Sequence, residues 1–236
     1  MAVTLIKTRN SKGDPIDLSQ QPDAGVQILV EGGDDSRILK ALIDHMAGAI
    51  SDRQEIEDVN IYELGGKPSL KRFLPVLVKS EGFEQVKRIG ILLDADDSEE
   101  RAFQSVQSAL KNAGLPVPHE PNAPAEADGR PSVTALILPG GGRAGELETL
   151  LCESFKDDPV NQCVDEFFEC VERLNGAVEQ PEKARVRTYI AAQTDPNVAA
   201  GGAAERGYWN FEHNAFQPIR RFMSLVVWGG EPQHPV

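Results

Sequence analysis

Three carboxylates stand directly after apolar runs in this chain: Glu31 after Val26 to Val30, and Asp94 and Asp96 after Arg88 to Leu93. Asp97 follows as a further acid. If the two runs are neighbouring strands of a parallel sheet, these acids meet at one edge, where open sheets bind ligands. Asp94 and Asp96 are two residues apart, so extended backbone sends both side chains to one side. Acids gathered in this way repel one another unless a cation sits between them. Hard oxygen donors with room for water suit Mg²⁺ or Mn²⁺. One such ion would polarise a phosphoryl oxygen or activate a water, and two would clamp an in-line displacement. A plainer reading stands beside this one. Asp96 and Asp97 are also placed to cap a helix starting near Ser98, with Glu100 completing the pattern. A lone Glu at a strand end can simply be solvated.

Two glycine-rich turns carry cations toward the same edge, Gly65-Gly66-Lys67 and Gly140-Gly141-Gly142-Arg143. Lys67 or Arg143 can hold a phosphate, helped by backbone N–H groups, or can be an ordinary solvated loop charge. No GxxxxGK[ST] run is present, so Gly66-Lys67 is not a nucleotide-binding P-loop. The four histidines are scattered, and no Ser-His-Asp arrangement can be argued. Cys152, Cys163 and Cys170 fit no zinc spacing and read as reduced core residues. Tyr208, Trp209 and Phe211 could stack on bases, but packing is the expected role of such a cluster.

The elements that must position these residues form a repeating pattern. Val26 to Val30, Val59 to Leu64, Arg88 to Leu93 and Val133 to Leu138 are short apolar runs that read as strands. Each is followed by a break and a stretch at helical spacing: Asp34 to Ile50, Ser69 to Glu81, Ser98 to Asn112 and Gly145 to Phe155. Asp34 or Asp35 is placed to cap the first of these helices. Strand, break and helix in succession predict an α/β fold, a parallel sheet of about four strands with helices on both faces. Residues 116–132, with four prolines before Pro131, read as an exposed loop. Val160 to Leu174, Pro181 to Gln193 and Phe216 to Trp228 read as helices of a C-terminal extension. The expected organisation is a polar N-terminal arm over 1–24, an α/β domain over 25–155, a helical extension packed on it over 156–228, and a tail over 229–236.

Whole-chain totals limit the partners. The 236 residues carry a net charge of −13 and are 40% hydrophobic. The acidic balance argues against gripping nucleic acid by bulk electrostatics, since phosphate binding draws on Lys and Arg. A nuclease remains compatible, because a bound metal neutralises its carboxylates and a basic partner can supply the nucleic-acid surface. No apolar run approaches the ~20 residues of a membrane span. The opening residues lack the apolar length of a secretory signal, so a cytoplasmic protein without membrane contact is expected.

The motifs resemble a known family. Val30-Glu31-Gly32 and Leu93-Asp94-Ala95-Asp96, in order and spacing, look like the Toprim signature over roughly residues 25–155. Toprim domains are shared by topoisomerases, primases, rRNA maturases and OLD-type nucleases. The resemblance implies that Glu31 is a ligand or general acid/base, and that Asp94 and Asp96 are Mg²⁺ ligands. Asp97 is an extra carboxylate beside that motif, either a further metal ligand or a cap. The resemblance also matches Glu148 to an acidic position used for a second metal in OLD-type nucleases, or else to an exposed helix residue. Val30 to Asp35, Gly65-Gly66-Lys67, Leu138-Pro139 with Gly145 to Glu148, Gly207-Tyr208-Trp209 and Phe216-Gln217-Pro218 resemble the DUF3226 family. That family is Toprim-like and has no settled function. A related Toprim group acts with ATPase partners in phage defence.

The leading expectation is therefore a Mg²⁺-dependent phosphoryl-transfer enzyme, a nuclease, acting with or without a protein partner. Its substrate stays open between DNA, RNA and a small phosphate ester. The alternative is a non-catalytic binding module with a structural cation. An aspartyl phosphatase is disfavoured, because its DxD follows the first core strand and Glu31 would then lack a role.

Overall fold

The computed structural model describes residues 1–8, 24–49 and 57–230. Most of the expected arm (residues 9–23), Ile50 and residues 231–236 of the expected tail lie outside the described residues. Five strands form one parallel sheet: β1 (Val3–Lys7), β2 (Val26–Val30), β3 (Val59–Glu63), β4 (Arg88–Asp94) and β5 (Ser132–Leu138). Their spatial order is β1-β3-β2-β4-β5. All five residues of β2 are buried, as a continuous apolar run between two covered faces requires.

The β1 strand corrects the expectation of a polar arm at residues 3–7. Two of its five side chains are exposed and one is buried, and among the described residues it pairs with β3 alone, in register Val3 with Val59. An edge strand of five residues with one fully buried side chain leaves little apolar signal. The Thr8 N–H and hydroxyl both donate to the Glu63 carbonyl, which fastens the end of the strand.

Helices cover both faces. On one lie α2 (Leu70–Leu77) and α3 (Glu99–Asn112), packing Leu74, Phe103, Val106 and Leu110 against Leu29, Ile89, Ile91 and Val133. The other carries α1 (Gly33–Ala49), α4 (Leu147–Ser154), α5 (Pro159–Asn175), α6 (Pro181–Ala191), α7 (Ala200–Glu205) and α8 (Gln217–Val227). One continuous apolar cluster on that face joins Ile28, Leu39 and Leu136 to Phe168, Ile190, Phe222 and Val226. The C-terminal helices therefore share a core with the sheet. In α8, Pro218 stands in the first turn, where its missing N–H costs nothing.

The proline-rich stretch is a loop exposed over much of its length, as expected, and parts of it are held against the sheet. Pro116 and Pro118 are buried, the Asn122 N–H donates to the Ala135 carbonyl, and Ala125 bridges Val133 antiparallel, covering the outer edge of β5. Among the described residues, no helix is long and apolar enough to cross a membrane.

Candidate functional site

The strand order reverses between β2 and β4. From β2 the chain crosses to β3 on one side, then returns past β2 to β4 on the other. Glu31 follows Val30, whose register partner is Leu92, and Asp94 ends β4 opposite Leu138. The expected neighbours are thus side by side, and Glu31 and Asp94 share the crevice at their carboxyl ends. The Glu31 carbonyl accepts the Gly65 and Gly66 N–H groups at 2.9 and 3.3 Å, anchoring the second turn beneath it. Gly66 has φ of 117°, a conformation that favours glycine, and it delivers Lys67 to an ion pair with Asp96.

Four carboxyls in this crevice are held above their ordinary range, each mainly by burial. Asp35 is pushed up to about 7 and Asp94 to about 8. Repulsion adds to both: Asp94 feels Asp35, Glu31 and Glu148, while Asp35 feels Glu31, Glu148 and Asp34. Glu31 and Glu148 are raised as well, with Lys67 and Lys183 respectively pulling against the rise. Oε2 of Glu31 is buried and has no hydrogen-bond partner among the described residues.

Two helix N-termini face the same acids. Asp94 Oδ1 accepts the Leu147 N–H at 2.9 Å at the start of α4, and Asp35 Oδ2 accepts the Gly32 N–H at 2.7 Å at the start of α1. Partial positive charge there offsets part of the repulsion. Lys183 of α6 pairs with Glu146 at 2.5 Å and attracts Glu148 and Asp94. Acids still outnumber these lysines.

Not every expected residue enters the cluster. Asp96 has φ of 50°, and its N–H and that of Ala95 both bond to the Gly145 carbonyl. Extended geometry ends there, so the rule that placed Asp94 and Asp96 on one side does not apply. Asp94 is drawn inward, whereas Asp96 stays at the rim, 58% exposed, with Lys67. Its charge still raises Glu31. Asp97 lies outside, 91% exposed, 3.9 Å from Arg101. It does not cap α3; that role falls to Ser98, whose Oγ accepts the Arg101 N–H at 3.3 Å. Arg143 is engaged internally, paired with Glu153 and donating to the Gly140 carbonyl at 3.1 Å. Lys67 does stand at the crevice, with Asp96.

Sequence reasoning missed three members. Asp35 was readable as a cap, and it does cap, but its burial beside Asp94 follows only from the strand order. Glu146 and Lys183 face each other from α4 and α6, and no local pattern announced that contact. The cysteines also differ from expectation: all are free, yet Cys163 is exposed and Cys152 and Cys170 are half-buried. They lie on α4 and α5, with Cys152 packed against the edge of the core. Burial still pushes the Cys152 thiol up to about 12, which disfavours its thiolate. Trp209 packs as expected, stacked near Tyr189 and Phe155, its Nε1–H donating to the Ala200 carbonyl at 2.9 Å.

The donor set is all oxygen, and a buried carboxylate oxygen lacks a partner, which suits a hard divalent cation. As the side chains stand, no three His, Cys, Asp or Glu among the described residues converge on one point to cage an ion. Mg²⁺ does not require such a cage, since it commonly keeps several waters and takes one or two carboxylates.

Comparison with known proteins adds one match. The profile of a family described as "Protein of unknown function (DUF3226)" matches residues 26–227. No curated protein and no solved structure matches the chain.

Proposed function

The chain belongs to the DUF3226 family, and from that premise and the acidic crevice we propose that it is a Mg²⁺-dependent phosphoryl-transfer protein of Toprim type, a nuclease. The carrying observation is the partnerless, buried Oε2 of Glu31 among carboxyls whose pKa values burial and mutual repulsion raise. Such a surplus of buried acid is costly without a cation and is a recognised mark of a functional site. Its place at the reversal of strand order agrees with ligand binding there.

In this reading Glu31 and Asp94 would hold the ion, and Asp96 and Glu148 would reach it through water. Mn²⁺ would serve in place of Mg²⁺. The bound ion supplies charge stabilisation to a phosphoryl oxygen. Lys67 holds a non-bridging phosphate oxygen after exchanging Asp96 for it. Asp35 keeps the Glu31 turn in place through the Gly32 N–H. The net charge of −13 leaves nucleic-acid affinity to a basic partner or to the metal.

The test is cleavage of plasmid DNA and of RNA by purified protein with Mg²⁺ or Mn²⁺. Asp94→Asn is expected to lower the metal-dependent rate about 100-fold or more, ~2.7 kcal/mol in the barrier. Circular dichroism of the same variant separates loss of metal from loss of fold, and calorimetric Mg²⁺ titration of the wild type measures binding. Absence of cleavage with retained Mg²⁺ binding would select the second reading, a non-catalytic module with a structural cation. The acidic balance favours that reading, and Lys67 and Lys183 already neutralise part of the crevice.

A further inference from the structure

The α5 helix carries more apolar surface than the fold covers. Val164 and Phe168 are its two fully buried side chains. Cys163, Phe167, Cys170 and Leu174 form a second stripe beside them, spaced four, three and four residues apart. That is the spacing of a two-helix seam. Phe167 is 52% exposed and Leu174 74% exposed, while Cys163 is exposed and Cys170 half-buried. None of these residues is among the groups that act on the crevice carboxyls.

Charges beside the stripe indicate what covers it. Glu166 and Arg173 lie seven residues apart along its solvent side, and both are exposed. Arg173 makes no ion pair among the described residues. If a second α5 runs antiparallel about a two-fold axis near residues 168 and 169, Phe167 faces Cys170 of the second copy. Cys163 then faces Leu174 of the second copy. In that register Glu166 lies beside Arg173 of the second copy, and symmetry makes the pair twice. A parallel register sets Glu166 beside the half-buried Val171 of the second copy instead, with no charge to meet. We infer that α5 is a self-association surface, on which a second copy of this chain docks antiparallel through the Cys163, Phe167, Cys170 and Leu174 stripe.

The contact is one helix of 17 residues, about 25 Å long. It falls short of the ~800 Å² per partner of a standard interface, so the dimer is weak and depends on concentration.

Sedimentation of the full chain under reducing conditions, from micromolar to millimolar, tests this. A monomer–dimer equilibrium is expected, and Phe167→Glu raises its dissociation constant ~10-fold or more. Circular dichroism of that variant stays unchanged, because the side chain is half exposed. Glu166→Arg weakens association, and Glu166→Arg with Arg173→Glu restores it. A surface effect unrelated to pairing would not be rescued. Leu174→Cys forms a cross-linked dimer through Cys163 under copper phenanthroline and oxygen, and Leu174→Cys with Cys163→Ser does not. A wild-type chain that is monomeric at every concentration overturns the inference, as does a dimer indifferent to Phe167→Glu.

Discussion

A carboxyl whose pKa is higher in the folded chain than in the unfolded one keeps a proton that unfolding releases. Stability is then greatest below the unfolded value and falls as pH rises through the window between the two. Asp35 and Asp94 both do this, from an ordinary 3.8 to about 7 and about 8. Metal-free protein should therefore melt at progressively lower temperature between pH 4 and pH 8. Asp35→Asn keeps an oxygen for the Gly32 N–H and removes one of the charges. It is expected to be more stable than wild type at pH 8 in EDTA, on the order of 1–2 kcal/mol, and to show a flatter pH profile. Near pH 4 the two should melt together. Parallel profiles across the range would show that Asp35 does not titrate as argued. Mg²⁺ should raise the melting temperature of the wild type more at pH 8 than at pH 5, since the ion competes with those protons. Glu31 was legible at this scale from its place after an apolar run. Asp35 was legible only as a cap, because its neighbour Asp94 is distant in sequence.

Element packing shows its tolerance where backbone meets side chain. Gly90 sits mid-strand in β4, and a Cβ there would lie 2.8 Å from Phe222 Cζ and 2.9 Å from Val226 Cγ1 of α8. Both are buried and have little room to yield. Gly90→Ala is expected to cost about 1–3 kcal/mol, although alanine suits a strand better than glycine does. Urea denaturation measures it, and Gly90→Ala with Phe222→Leu should recover part of the loss. A single variant as stable as wild type would mean that α8 does not seat on β4 in this way. The strands and helices around Glu31 and Asp94 were readable from period and breaks, because each strand is buried on both faces and each helix shows one apolar stripe. β1 was not readable, since an edge strand takes its identity from the partner that supplies its hydrogen bonds. Nor was the turn at Asp96 readable, since its left-handed backbone is set by the Gly145 carbonyl.

At the scale of the molecule, the division into an α/β domain and a helical extension is a division of sequence pattern. Ile219, Phe222, Met223 and Val227 of α8 are buried in the same cluster as residues of β2, α1 and β5, and the family match runs unbroken over 26–227. Deleting everything after residue 155 would strip one face of the sheet. Burial at about 25 cal/mol per Å² gives that face much of its stability. The truncated chain is expected to lack near-UV circular dichroism and a cooperative melt. A truncated chain that melts cooperatively would instead establish two independent units. The same face brings Lys183 to Glu146 and the Gly201 N–H to Asp34 Oδ1 at 2.9 Å. The extension thus completes the rim of the acidic crevice as well as the core.

What local order decides in this protein is the alternation of strands and helices and the three acids, Glu31, Asp94 and Asp96, that follow strands. Apolar periodicity and glycine breaks are properties of contiguous residues, so one sequence carries them in full. Tertiary structure alone decided which acids are buried together, that Asp96 stays at the rim while Asp35 and Glu148 come in, and that α6 contributes Lys183. Those outcomes depend on strand order and helix docking, where chain segments distant in sequence set each other's solvation and charge.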